Sequence, residues 1–103
     1  MAQQSALTES TYYILLSLVE PRHGYGIMQM AEQLSHGRVR LAAGTLYGAL
    51  NALVDKGWIA LLPGEGRKKE YKLTPKGLEI LKKELARLRE LVASGDMVLK
   101  EEA

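Results

Sequence analysis

Ala42, Ala43, Gly44, Thr45, Leu46, Tyr47, Gly48, Ala49, Leu50, Asn51, Ala52, Leu53, Val54, Asp55, Lys56, Gly57 is the stretch from which the fold can be worked out. Leu46, Leu50, Leu53 and Val54 recur at i, i+4, i+7 and i+8, which gathers them on one side of an α-helix, and Gly57 follows as a stop residue. At about 100° per residue, Gly44, Gly48, Asn51 and Ala52 fall on or beside the opposite side, with Thr45 and Tyr47 on its shoulders. That outer face is neither charged nor greasy. Each exposed glycine costs the helix roughly 1 kcal/mol relative to alanine, so the smooth face serves something other than helix stability. Close approach to a partner is the simplest candidate; an ordinary amphipathic helix with indifferent surface residues is the alternative.

Upstream, Ile27, Met30, Ala31 and Leu34 form a second apolar stripe, which predicts a helix from near Tyr25 to Ser35–Gly37, entered through His23, Gly24, Tyr25 and Gly26. Arg38, Val39, Arg40 and Leu41 then alternate and can form a minimal strand. Two helices joined by a short connection, the second with a bare outward face, read as a helix-turn-helix. Downstream, Trp58 to Leu62 is a strand-like apolar run, Pro63 to Arg67 is turn chemistry, and Lys69 to Leu73 alternates again. This is a β-hairpin with Arg67, Lys68 and Lys69 at its tip, where phosphates beside a groove would lie. A solvated turn would carry the same charges.

The two ends of the chain read as helices with a second duty. Thr8 is an N-cap, Glu9 suits the first turn, and Tyr12 to Val19 is apolar on all sides before Glu20 and Pro21 end the run. One small domain has too little material to cover such a helix, which predicts a subunit contact. A last helix begins at Thr74 and Pro75 and carries Leu78, Leu81, Leu85, Leu88 and Val92 at alternating spacings of three and four, a short pairing seam. Gly95 and Asp96 are expected to end it. The fold class is therefore mainly α with a small β-hairpin: a winged helix-turn-helix over residues 1–74 and a C-terminal dimerisation helix and tail over residues 75–103. Tyr12, Leu15, Leu78, Leu81, Leu85, Leu88 and Val92 are the expected dimer contacts.

Composition narrows the function. The 103 residues make one domain, and the absence of cysteine removes disulfides, thiolate metal sites and a thiol nucleophile. No apolar run approaches the roughly 18 residues of a membrane span, and no export signal is evident, so a cytoplasmic location is expected. The net charge of +2 is slight, yet from His36 to Lys76 eight Lys/Arg face three acids, a local excess that suits a polyanion. His23, Glu32 and His36 lack metal-ligand spacing, and no nucleophile triad, phosphate loop or carboxylate pair appears, so neither metal, cofactor nor enzyme activity is expected. Met28, Met30 and Trp58 suit a core better than a pocket.

His23–Ile27, then Gly44, Thr45, Leu46, Tyr47, then Leu50, Leu53, Gly57, Ile59, and finally Tyr71–Gly77 together resemble the PadR family of bacterial transcriptional regulators. Length and a single C-terminal helix look like its small subfamily. The resemblance implies a homodimeric winged-helix repressor that binds DNA through the third helix and wing, dimerises through the first and last helices, and answers to phenolic acids, drugs or other small hydrophobic molecules. Gly48 departs from the family's pattern, in which Arg or Pro is common. The expected DNA-binding residues are Thr45, Tyr47, Gly48, Asn51, Arg67, Lys68 and Lys69, on a pseudo-palindromic double-stranded operator. An aromatic or hydrophobic effector would lie against Tyr12, Tyr13, Leu88 and Val92. The alternative is a winged helix that contacts protein or small molecules and not DNA.

Overall fold

The computed structural model describes residues 6–63 and 69–100. In chain order the elements are α1 (Glu9–Ser17), β1 (Arg22–His23), α2 (Gly24–Leu34), α3 (Ala43–Asp55), β2 (Ile59–Leu61), β3 (Glu70–Leu73) and α4 (Pro75–Leu99). Three helix starts use their N-cap side chains: Thr8 accepts from the Thr11 N–H, His23 from Gly26 and Thr74 from Gly77. His23 is thereby given a capping duty that the sequence reading did not assign.

The sheet is antiparallel with β3 in the middle. β2 lies on one side, with Ile59 opposite Leu73 and Leu61 opposite Tyr71, and β1 lies on the other, with Arg22 opposite Tyr71. The third strand is thus Arg22–His23, and the minimal strand expected at residues 38–41 does not form. Its donors are used locally: the Arg38 N–H goes to the Ser35 carbonyl at 3.1 Å and the Val39 N–H to Ser35 Oγ at 2.8 Å. This turn takes His36 to φ 54° and Gly37 to φ 83°, and the Gly37 N–H closes on the Glu32 carbonyl. The left-handed pair stops α2 and aims the chain at α3.

The core is one cluster: Ile14, Leu15 and Leu18 around α1, Ile27 from α2, Leu46, Leu50 and Leu53 from α3, Ile59, Tyr71 and Leu73 from the sheet, and Leu81 from α4. Burying each of these Leu and Ile side chains is worth roughly 1.5–3 kcal/mol. Met28 and Trp58 pack against this cluster from its edge. Four residues depart from their expected places. Val54 and Leu34 sit at the last turns of α3 and α2, where the apolar stripe runs past the core, and both are exposed. Leu15 and Leu81, expected at the subunit contact, are consumed by the chain's own core and have no surface left for a partner.

The Thr74–Gly77 segment ties the start of α4 to the end of α3. Thr74 donates its hydroxyl to the Gly57 carbonyl at 2.7 Å and its N–H to the Trp58 carbonyl at 3.0 Å, while Lys76 Nζ reaches the Lys56 carbonyl at 3.3 Å. Gly77 packs directly on the Trp58 carbonyl, and a Cβ there would overlap the oxygen. Backbone cannot move aside as a side-chain tip can. Gly77→Ala is therefore expected to destabilise the protein by about 1–3 kcal/mol despite alanine's better helix propensity, read as a lower denaturation midpoint in urea.

α4 is 25 residues long and runs through Gly95 to Leu99, past the end expected at Gly95–Asp96. A glycine ends a helix by turning left-handed, and among the described glycines only Gly37 and Gly57 have positive φ. Gly95 stays helical, so α4 spans about 37 Å. Its outer half carries Leu91, Val92, Met97, Val98 and Leu99, all exposed in the isolated chain.

Candidate nucleic-acid interface

α3 presents the bare face read from its sequence. Leu46, Leu50 and Leu53 point into the core, while Gly44, Thr45, Gly48, Asn51 and Ala52 are exposed. A Cβ at Gly44 or Gly48 would meet no described residue within 4 Å, so none of the described packing requires these glycines to be small. Ala42 is the N-cap and makes no side-chain hydrogen bond, which leaves the first-turn N–H groups of α3 without a side-chain acceptor. Open N–H groups at a helix start are suited to phosphate oxygens.

Tyr47 is divided between two tasks. It is 46% exposed, yet its hydroxyl end lies over Gly24, where any Cβ would collide with it. Gly24 is thus the seat that lets the tyrosine bridge α3 and α2. Burial first, and the neighbouring Tyr47 second, push the Tyr71 phenol above its ordinary pKa. Lys69 is exposed beside β3, whereas Arg67 and Lys68 lie outside the described residues.

Two cations of the basic stretch, not among the expected DNA contacts, lie just before α3. Arg38 and Arg40 flank the buried Val39 in the connection before α3, and both side chains are about three-quarters exposed. Arg38 Nη2 meets Glu9 Oε2 at 2.7 Å, and Arg40 Nε meets Glu32 Oε2 at 3.8 Å. The Arg-Val-Arg-Leu alternation marks both as outward-facing.

Residues 14–83 match the family described as "Transcriptional regulator PadR-like family". The chain belongs to the PadR-like family. Solved structures agree with this across most of the chain. A PadR family transcriptional regulator from Eggerthella lenta is 25% identical, covering 88% of this chain and 84% of that one, with a TM-score of 0.69. A transcriptional regulator from Clostridium thermocellum is 26% identical, covering 88% and 87%, also at 0.69. The hsRosR-S1 complex structure is 27% identical, covering 90% and 95%, at 0.68; hsRosR is the RosR of H. salinarum. A curated relative, an uncharacterized 37.1 kDa protein in transposon TN4556 of Streptomyces fradiae, is 42% identical over 72 residues. The alignment takes in 69% of this chain and only 20% of that relative's length.

The PadR-like chain also has a cleft of about 300 Å³ between the start of α1 and the middle of α4, lined by Leu7, Glu9, Tyr12, Tyr13, Glu84, Arg87 and Leu88. Three of the four residues expected around an effector, Tyr12, Tyr13 and Leu88, meet here, with the two tyrosine rings edge to face at 5.7 Å. Val92 lies a turn beyond Leu88 and is not in the lining. Glu84, which the sequence reading did not single out, is 1% exposed at the cleft floor. Arg87 grips it through Nε at 2.8 Å and Nη2 at 2.7 Å, and the Leu7 N–H donates to it at 3.3 Å. That grip lifts the Arg87 pKa above its ordinary value, the hydrogen bond to Glu84 being the main cause. An acid three residues after Leu81 on the inner stripe, with Arg three further on, was the available signal. No helix among the described residues is long and apolar enough to cross a membrane.

Proposed function

We propose that this PadR-like chain is a dimeric, sequence-specific DNA-binding repressor, relieved by a small aromatic or hydrophobic effector. The observation that carries the reading is the outer face of α3: Gly44 and Gly48 open onto empty space on the second helix of a helix-turn-helix, so the backbone can approach a groove closely. Thr45, Tyr47 and Asn51 would then meet base edges, with Asn51 suited to a bidentate pair with adenine, and Arg67, Lys68 and Lys69 would hold phosphates. The likeness to solved transcriptional regulators supports this reading.

Residues 1–74 form the DNA-binding part in this reading, and residues 75–103 the dimerisation helix and tail. Leu78, Leu85, Leu88 and Val92, together with Tyr12, are the seam residues that keep surface for a second copy. A two-fold dimer would read a pseudo-palindromic operator with half-sites about 34 Å, or a multiple of it, apart. The cleft at Tyr12, Tyr13 and Leu88 is the effector site. A compound that weakens DNA binding a hundredfold must prefer the non-binding arrangement by about 2.7 kcal/mol, which is modest for a flat aromatic molecule in an apolar site.

A salt titration of binding to duplex DNA from the chain's own upstream region tests the function. A log-log slope near one unit per phosphate contact is expected. A slope near zero would instead favour a winged helix that contacts protein or small molecules.

A further inference from the structure

We propose that Arg38 is a phosphate ligand of the α3 surface and that Glu9 is its built-in competitor; this rests on the DNA-binding reading above. The alternation of burial along Arg38, Val39 and Arg40 puts both arginines on the outer side of the connection, with Arg40 two residues from the N-cap of α3. A recognition helix enters a groove with its N-terminal residues on the bases. The residues just upstream then stand over the groove edge, where the phosphates are.

Glu9 comes to Arg38 from a different element, the first residue of α1, and its carboxylate oxygen sits 2.7 Å from the guanidinium. A carboxylate and a phosphate offer a guanidinium the same paired-oxygen geometry, so the contact made inside the chain is the contact DNA would replace. Both side chains are substantially open, 73% for Arg38 and 46% for Glu9, so the exchange requires no unfolding. The intrachain pair is weak and screened by salt, whereas a duplex presents a dense row of phosphates. DNA therefore wins, and the strength of the Glu9 contact subtracts from its affinity. Glu32 stands toward Arg40 in the same way at a looser 3.8 Å.

The test is fluorescence anisotropy of the full chain on a mixed-sequence duplex and on the upstream duplex, over a range of salt. Arg38→Ala should weaken binding roughly five- to tenfold at low salt and reduce the log-log salt slope by about one. Arg38→Lys should keep the slope, since the charge remains, while losing part of the affinity. Glu9→Gln should tighten binding roughly two- to fivefold at low salt, and this gain should vanish in the Arg38→Ala background. Glu90→Gln on α4 removes the same charge away from the connection and should match wild type. Equal affinity of wild type and Glu9→Gln, or an undiminished Glu9→Gln gain when Arg38 is alanine, overturns the competition. An unchanged salt slope in Arg38→Ala overturns the phosphate contact. Failure of the wild-type chain to bind either duplex at any salt overturns the DNA-binding reading and this proposal with it.

Discussion

Gly48→Glu is expected to reduce DNA affinity by at least about a hundredfold while leaving the fold intact. The substitution separates the two properties because a Cβ at this position meets nothing within 4 Å, so the new side chain enters solvent and not the core. Replacing a mid-helix glycine also favours the helix, by somewhat under 1 kcal/mol, and the thermal midpoint should hold or rise by a few degrees. Against a duplex the same carboxylate would face phosphates. A like-charge juxtaposition costs several kcal/mol, and each 1.4 kcal/mol is about tenfold in affinity. Gly48→Ala, which adds one uncharged carbon to the same face, should lose far less. Anisotropy on the upstream duplex, with a thermal melt beside it, reads both quantities. Unchanged binding by Gly48→Glu would remove α3 from the interface.

Val92→Glu is expected to convert the protein from dimer to folded monomer. Val92 is 62% exposed and Leu91 54% exposed in the isolated chain, and they lie on the outer half of α4, beyond its contacts with the core. A glutamate there leaves the monomer's packing unchanged, yet in a two-fold interface it would be buried without a counter-charge, twice per dimer. The cost is several kcal/mol, or at least about a hundredfold in the dissociation constant. Leu85 is a poorer probe because it is already half-buried within its own chain, so Leu85→Glu would mix dissociation with unfolding. Sedimentation velocity at micromolar concentration, with helix content checked by circular dichroism, reads the outcome. A monomeric wild type, or a Val92→Glu dimer as tight as wild type, would overturn dimerisation through this face.

The order and type of the helices and of the two hairpin strands were legible in the sequence because each announces itself locally. Leu46, Leu50 and Leu53 have helical period, Thr8 and Thr74 are short oxygen-bearing caps, and Tyr71 and Leu73 alternate with charges. The bare face of α3 was legible for the same reason, since the buried stripe of a helix determines its opposite side. Such local patterns amply support assignment to the PadR-like family.

Tertiary structure decided whatever depended on distance. Arg22–His23 became the third strand, and residues 38–41 did not, because β3 was available to pair with the first while Ser35 took the donors of the second. Period alone could not say which apolar residues of α1 and α4 the chain would keep for itself. Leu15 and Leu81 went to the core, and Val92 to the surface, because the core closes around the first two turns of α4 and the helix then runs on beyond it. Glu84 and Arg87 stand three apart on one helix, a spacing that allows a pair, whereas Glu9 and Arg38 lie in separate segments and no sequence pattern marks them as partners. A sequence states which side of a helix is apolar; only packing states what that side, and the charges around it, will meet.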